Sequence, residues 1–447
     1  VHRFDERTAE VARLCFDYAL WRLRLDPVPL DRPRSPAELA AAAGRSITPE
    51  GRDPAEVLRT FGEVLAPACI SNDSWRYLAF IPEAPTKAAQ LFDVVVSASA
   101  ISGTSWLEAS GAVHAENEAL RWLADLAAFP PEAGGCFVSG GSAANLAALA
   151  VAREVAAERT GRDGPWRVAV AAGVHSSVHS ALRILGITPL VVPCGEVMGG
   201  DDLARTLSAD PEAASVCAVV ATAGTTNTGT VDDLAGVAEV AARHGLWTHV
   251  DGAYGLGALC VPEERHRFAG IEGADSFCVD PHKWLFAPFD CAALLYRRPE
   301  LARRVHAQHA AYLDPIHTGG DWNPSDYAYH LTRRARGLPF WFSLAVHGTD
   351  AYAAAVRATL RTARLAAARI REAPHTELVC DPTLTVVLWR RRGWDADDYA
   401  AWSRRLLDDQ VAFLLPTRWR DETVARAVFL HPDCPDTFVD ELLDTMR

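Results

Sequence analysis

Between about residues 85 and 300 the chain alternates helical patterns with short runs that are apolar on both faces. No other feature constrains the fold as much. A strand apolar on both faces must be covered on both faces, so helices belong on either side of one sheet. The strand-like runs are Cys136–Ser139, Arg167–Ala172, Pro189–Pro193, Val216–Thr222, Leu246–Val250, Ser276–Val279 and Cys291–Tyr296. Between and before them, helical spacing marks 87–100, 114–128, 142–158, 176–185 and 232–243. The order predicts an α/β layered domain, helix on sheet on helix, with a mainly parallel sheet.

The flanks read differently. Residues 5–24 repeat Val11, Leu14, Cys15, Tyr18 and Trp21 at helical spacing. A Pro- and Gly-rich stretch over 26–54 surrounds a short helix at Ser35–Ala43. Asp53-Pro54 is a start signal, N-cap then N1, for a helix to about Ala66. Residues 1–66 are thus an N-terminal helical segment with too little core of its own. Residues 67–338 form the large domain. Its last part, 312–337, is rich in Gly, Asp, Asn and Pro and reads as a long mobile loop of the functional kind. A helical pattern over 339–371 follows. Strands near 384–389, 411–415 and 424–430 and helices at 395–409 and 436–446 complete a small α/β C-terminal domain, 339–447.

Composition excludes several classes. A formal charge of −13 argues against nucleic acid as a partner, and 49% hydrophobic residues argue against disorder. The ten cysteines are scattered without a CxxC, as expected of free thiols in a reducing cytoplasm, with neither disulfide framework nor metal site. No apolar stretch is long enough to span a bilayer, so no membrane partner is expected. The first residues carry early acids and no apolar h-region, which predicts no signal peptide, and a start on Val1 predicts that further residues precede it. Only two of the 44 basic residues are lysines, Lys87 and Lys283. A function that needs a lysine amine therefore has two candidates.

Three motifs carry chemistry. Ser139-Gly140-Gly141-Ser142-Ala143-Ala144-Asn145 stands between a strand and a helix. Such a turn brings backbone N–H groups and a helix N-terminus to an anion, and it also suits an ordinary Gly-rich turn. It has neither the Walker lysine nor GxGxxG spacing, so ATP and dinucleotides are poor fits. His249-Val250-Asp251-Gly252-Ala253-Tyr254 places an acid at the end of a buried strand, where open α/β sheets bind ligands. Asp280-Pro281-His282-Lys283-Trp284 places a lysine at another strand end, suited to an activated amine. Lys87, at a predicted helix start, has no such context. Cradle, acid and amine together suit pyridoxal 5′-phosphate: phosphate, ring nitrogen and aldehyde each find a partner.

With these residues the chain resembles the group II pyridoxal-phosphate decarboxylases of fold type I, the family of aromatic L-amino-acid, histidine and glutamate decarboxylases. The matching stretches are SGGSAANLAAL, VHSSVHSAL, ATAGTTNTGTVDDL, HVDGAYG, DSFCVDPHKWLFAPFDC, LTRRARGLPFWFSLAVHG and ARAVFLHP, spread from about residue 75 to the end. The resemblance implies a transferase-like fold of type I and decarboxylation of an L-amino acid to its amine and CO2. It makes Lys283 the Schiff-base lysine, Asp251 the partner of the ring nitrogen and Ala253 the small residue under the ring. It makes His175 the histidine stacked on the other face, near the substrate carboxylate. Gly141, Ser142 and His282 correspond to phosphate contacts and Thr226 to a cofactor- or His-contacting threonine. Tyr312 corresponds to the loop tyrosine that protonates the carbanion, and in the family a Tyr there favours amine over aldehyde. Phe80, Ile81, Thr104 and Trp106 fall on the substrate-pocket stretches, which implies an aromatic or other apolar substrate, with room for indole rings or an unusual substrate of bacterial specialised metabolism. Relatives form homodimers with the site at the interface and the first helices around the partner. Ala143 stands where many relatives have Glu, and Asp280 where many have Asn; both change the hydrogen-bonding groups around the phosphate.

The competing expectations are a decarboxylation-dependent oxidative deaminase giving an aldehyde, a Cα–Cβ or Cβ–S lyase, and a cofactor-binding regulator that has lost catalysis. The lyase needs a loop cysteine that 312–337 does not contain, and no DNA-binding appendage is visible for a regulator.

Overall fold

The computed structural model describes residues 2–317 and 319–447. Its centre is a sheet of seven strands: β1 (Gly134–Val138), β2 (Arg167–Ala171), β3 (Thr188–Val192), β4 (Val216–Thr222), β5 (Trp247–Asp251), β6 (Ser276–Val279) and β7 (Ala292–Tyr296). The spatial order is β1-β7-β6-β5-β4-β2-β3. Neighbours from β3 through β6 pair in parallel, whereas β7 runs antiparallel to both β6 and β1. The sheet is therefore mainly parallel, with one reversed strand. Strands β1, β4, β5, β6 and β7 are buried along their whole length, as runs apolar on both faces require. Two apolar clusters, one on each face, form the layers against the helices.

Most predicted helices start within two residues of their sequence signals, because caps mark them. Ser176–Leu185 follows its His175 cap and ends on Gly186. Leu234–His244 follows Asp233, whose carboxylate accepts from Gly236 N. Three segments depart from expectation. The helix expected at 114–128 is Trp106–Leu126, because Ser105 caps it and a kink at Ala109 hides its first turn from the periodicity. The single pattern over 339–371 is two helices, Leu338–His347 and Thr349–Glu372, broken at Gly348 with φ 78°. The helix expected to reach Ala66 stops at Thr60, continues as a wider turn to Leu65 and closes on a short 3-10 turn containing Pro67, which has no N–H to donate.

The C-terminal region carries a second sheet, β10-β11-β9-β8, made of β8 (Thr376–Leu378), β9 (Val386–Arg391), β10 (Thr417–Trp419) and β11 (Glu422–Val428), all antiparallel. The strand expected at 411–415 does not form. Phe413 makes only an isolated bridge to Tyr77, so this stretch joins the two parts of the chain instead of extending a sheet. The 312–337 stretch is not structureless: it holds short turns at Asp314–His317 and Pro324–Asp326. Among the described residues no helix is long and apolar enough to cross a membrane. The helices Glu6–Leu23, Pro36–Ala43 and Pro54–Thr60 contain no buried residue, and Phe16, Trp21 and Phe61 stand exposed.

Phe277 of β6 is 1% exposed and packs edge-on against Phe129 at 4.9 Å between ring centroids. Phe277→Ala should cost roughly 3–5 kcal/mol through the lost burial and the cavity left behind. The check is the urea midpoint of unfolding; an unchanged midpoint would show that the sheet does not depend on this contact.

Candidate active site

Parallel strands end at the same sheet edge, so the segments leaving β1, β4, β5 and β6 converge there. Gly141, Ser142, His175, Thr226, Asp251, Ala253, His282 and Lys283, scattered over more than 140 positions of sequence, line one cavity of about 420 Å³, with Phe80 and Ile81 on its wall. The cradle is built by β1 running through Ser139-Gly140 into the helix Gly141–Thr160. Its N-cap Gly140 has no side chain to cover the first turn; Gly141 N is taken by Asp280 Oδ2 and Ala143 N and Ala144 N by Gly140 O, which leaves the Ser142 position of the turn open to the cavity. A Cβ at Gly141 would lie 2.9 Å from Ala253 Cβ, so the backbone can approach this closely only as glycine.

Lys283 sits on the single turn Pro281–Trp284 after β6. Its Nζ lies 2.9 Å from Asp280 Oδ2. Burial pulls the amine's proton affinity down, and the Asp280 carboxylate more than offsets this, holding it above the usual lysine range. The same Oδ2 accepts from Gly141 N at 3.2 Å, while Oδ1 is buried without a hydrogen-bond partner. His282 Nδ1 accepts from Cys291 N at 3.0 Å, and burial lowers its proton affinity. Lys87, the other lysine, is exposed at a helix start.

Asp251 is 6% exposed. Its Oδ2 accepts from Asn145 Nδ2 at 2.9 Å and its Oδ1 from Ala253 N at 3.2 Å. From the C-terminal sheet, the buried Arg426 donates through Nη2 to the carbonyls of Phe80 and Thr226. Phe80 has φ 51°, unusual for a bulky side chain, and this clamp holds it there.

The remaining predicted residues stand elsewhere. Tyr312, Thr104 and Trp106 do not line this cavity of their own chain. Tyr312 is 74% exposed, whereas Thr104 is buried. Thr104 and Trp106 belong to one stitched patch, which also holds Ile316, four residues after Tyr312. Thr104 O accepts from Ser325 N at 3.2 Å, and Trp106 N donates to Asn323 Oδ1 at 3.0 Å. Asn323 Nδ2 in turn donates to Ile316 O at 2.9 Å.

Sequence reasoning missed Asn145, Asp280, Tyr254 and Phe289 as lining residues. Two of them carried a signal. Asn145 is four residues past Gly141, on the same helix face as the cradle, and Asp280 is three before Lys283 on one helical turn. Phe289 had none, since the turn after Lys283 brings it back.

The group the sequence implies is pyridoxal 5′-phosphate, and the donor set fits it. An uncapped helix N-terminus with Ser142 and His282 beside it suits a phosphate, a buried carboxylate at Asp251 suits a protonated ring nitrogen, and Lys283 is an amine facing the same cavity.

Comparison with known proteins agrees. The family model described as the pyridoxal-dependent decarboxylase conserved domain matches residues 36–392. An aromatic-L-amino-acid decarboxylase of Bacillus atrophaeus is 31% identical over 353 residues, covering 77% of this chain and 73% of that protein. Tryptophan decarboxylase 1 of Oryza sativa subsp. japonica is 32% identical over 342 residues, 71% of this chain and 66% of that protein. The Oryza sativa TDC structure with PLP and tryptamine matches at a TM-score of 0.92 and 24% identity, over 100% of this chain and 99% of that one. The Rhodiola rosea 4-hydroxyphenylacetaldehyde synthase matches at 0.89 and 22%, over 99% and 98%. At these identities the structural matches speak to the fold.

Behind the Phe80–Ile81 wall, Glu83 has a buried Oε2 without a partner. Burial, with the charge of Asp73, pushes its carboxyl up to about 8 from a usual 4.5. Between those values the unfolded chain ionises Glu83 and the folded chain does not, so folding loses stability as pH rises through this window. Glu83→Gln cannot ionise. It should raise the melting temperature at about pH 8 and leave it near wild type at about pH 4.5. Equal shifts at both pH values would remove Glu83 from the balance.

Proposed function

The chain belongs to the pyridoxal-dependent decarboxylase family, and from that premise we propose that it converts an aromatic L-amino acid to its amine and CO2 at the cavity around Lys283. It is a pyridoxal-phosphate-dependent carboxy-lyase acting on an amino acid. The observation that carries the site assignment is the convergence of amine, acid and uncapped helix on one cavity.

Bound there, pyridoxal 5′-phosphate supplies an electron-withdrawing ring that takes up the electron pair of the bond to the departing carboxylate. The rest falls to this chain's residues. Lys283 Nζ is the amine that would hold the cofactor's aldehyde carbon and give way to a substrate amine. Asp280 Oδ2, 2.9 Å from that nitrogen, is placed to hold the proton the amine must shed. Ser142, His282 and the glycine turn at Gly141, which leaves room for the approach, would hold the phosphate. Asp251 would keep a proton on the ring nitrogen, and Ala253, His175 and Thr226, which line the same cavity, would bound the space for the ring. His175 lies near the substrate carboxylate, and Tyr312 returns a proton to Cα.

Phe80, Ile81, Thr104 and Trp106 form the apolar wall for the substrate side chain. The relatives named for aromatic amino acids and tryptophan support an aromatic substrate. Because Thr104, Trp106 and Tyr312 lie on a patch apart from their own chain's cavity, a second copy brings that patch to it, and the site lies between two copies. The first helices, with no buried residue, wrap the partner. The ten cysteines, scattered without a CxxC, support a reducing cytoplasm as its compartment.

The test is CO2 release from a panel of L-amino acids by the purified protein with pyridoxal 5′-phosphate. Aromatic amino acids should exceed glutamate by about 10-fold or more in kcat/KM. Lys283→Ala should lose the absorbance of the bound cofactor and about 10³-fold or more of turnover; normal decarboxylation by that variant would sink the assignment. Tyr312→Phe should shift product from amine toward aldehyde, ammonia and peroxide. An unchanged amine yield would take Tyr312 out of the reaction, and an aldehyde from the unaltered protein would establish the oxidative alternative.

A further inference from the structure

A row of buried polar side chains runs beneath Asp251. Strand alternation puts Trp247, His249 and Asp251 on one face of β5. Register places Ser276 beside His249 and Cys278 beside Asp251 on β6. Asn145 reaches this face from the helix Gly141–Thr160. Trp247 is 4% exposed, and Asn145, His249 and Ser276 are fully buried. Every link is short: Trp247 Nε1 to Ser276 Oγ 2.9 Å, Ser276 Oγ to His249 Nδ1 2.8 Å, His249 Nε2 to Asn145 Oδ1 2.9 Å. Asn145 Nδ2 then reaches Asp251 Oδ2 at 2.9 Å and Ser177 Oγ at 3.0 Å, and Ser177 Oγ lies 2.8 Å from His175 Nδ1.

The two ends fix the sense of the whole row. An indole N–H can only donate, so Ser276 Oγ accepts from Trp247. A carboxylate can only accept, so Asn145 must turn its NH2 toward Asp251 and its carbonyl toward His249. His249 therefore donates from Nε2, and its Nδ1 takes the one proton Ser276 has left. The Cys278 thiol, 3.6 Å from both Asn145 Oδ1 and Asp251 Oδ1, finds only acceptors there and does not disturb the sense. At the far end, Ser177 accepts from Asn145 and gives its own proton to His175 Nδ1. That nitrogen also receives Ser177 N at 3.2 Å, so the His175 ring proton sits on Nε2.

We infer that Trp247, Ser276, His249 and Asn145 form a one-way hydrogen-bond chain that positions Asp251 and, through Ser177, His175, so that the acid faces the cofactor ring nitrogen and His175 presents an Nε2–H to the cavity. This rests on the assignment of Asp251 and His175 to the cofactor made above. The four are positioning residues: none lines the cavity except Asn145, and each acts through the next. Breaking one link leaves a buried donor or acceptor unanswered, and the change is passed along the row.

The test begins with the unaltered holoenzyme carrying 15N-labelled histidine, with His249 and His175 assigned by single replacements. Both rings should carry their proton on Nε2, with Nδ1 unprotonated; a proton on Nδ1 of either ring overturns the chain, whatever the variants do. The holoenzyme is then loaded with pyridoxal 5′-phosphate labelled with 15N at the ring nitrogen. Asp251→Ala should move that signal from the protonated to the unprotonated range; if it does not, the cofactor assignment itself fails. Ser276→Ala should move it part of the way and lower kcat about 10-fold with KM within about twofold. Ser276→Thr, which keeps the hydroxyl, should restore both. A ring-nitrogen signal and kcat unchanged in Ser276→Ala, with the Asp251→Ala shift intact, overturns the chain alone. Should Ser276→Ala fail to fold, the histidine tautomers of the unaltered protein decide.

Discussion

Asp251 is a buried carboxylate at the end of a central strand, and burying a charge is costly unless its acceptors are answered. Both oxygens are answered, one by the Asn145 amide and one by the backbone N–H of Ala253. The first bond ties β5 to the helix whose N-terminus forms the cradle. The second tightens the turn that carries Ala253 beneath the cavity. Cradle, acid and small-residue floor are thus held in one arrangement by the need to satisfy a single carboxylate. The sheet makes this possible, since β4, β5 and β6 run in parallel and deliver their ends to the same edge.

Lys283 depends on the same edge through a different partner. Asp280 lies between the amine and the cradle, accepting from Gly141 N and facing Lys283 Nζ with one oxygen. A carboxylate here keeps a charged lysine in a confined space without leaving it unpaired. It also links the β6 end to the helix after β1, with the reversed strand β7 lying between them in the sheet. The C-terminal sheet contributes to the cavity without entering it. Arg426 binds the carbonyls of Phe80 and Thr226, and Tyr254 reaches across to Thr385. Phe80 keeps its left-handed backbone because a residue nearly 350 positions later holds its carbonyl.

The patch bearing Thr104, Trp106 and Tyr312 shows the opposite organisation. Thr104 and Trp106 are bound by Ser325 and Asn323, Asn323 holds Ile316 of the segment that carries Tyr312, and the buried Arg333–Glu116 pair at 2.7 Å fastens Gly103 to the same region. The patch is a stitched unit whose tyrosine faces outward. Together with first helices that contain no buried residue, it leaves apolar side chains such as Phe16, Trp21 and Tyr312 exposed.

The α/β class, the mainly parallel sheet and the cradle, acid and lysine were legible in the residues, because strand burial on both faces and residues at strand ends leave local patterns. The lysine filter was as direct: arginine stays protonated and cannot replace an amine nucleophile, so a chain with two lysines names its own candidate. The cap Asp53 announced a helix start for the same local reason. The loss of the 411–415 strand was not legible, since Phe413 bridges to the distant Tyr77, whereas the break at Gly348 lies on a glycine with φ 78° inside a long helical pattern. Nor was the sense of the row from Trp247 to His175 legible. It depends on which side chains meet across strand register and helix face, and on donors and acceptors that must be satisfied together once water is excluded. Local sequence specifies which groups the chain carries, while burial in three dimensions specifies which partner each one is obliged to take.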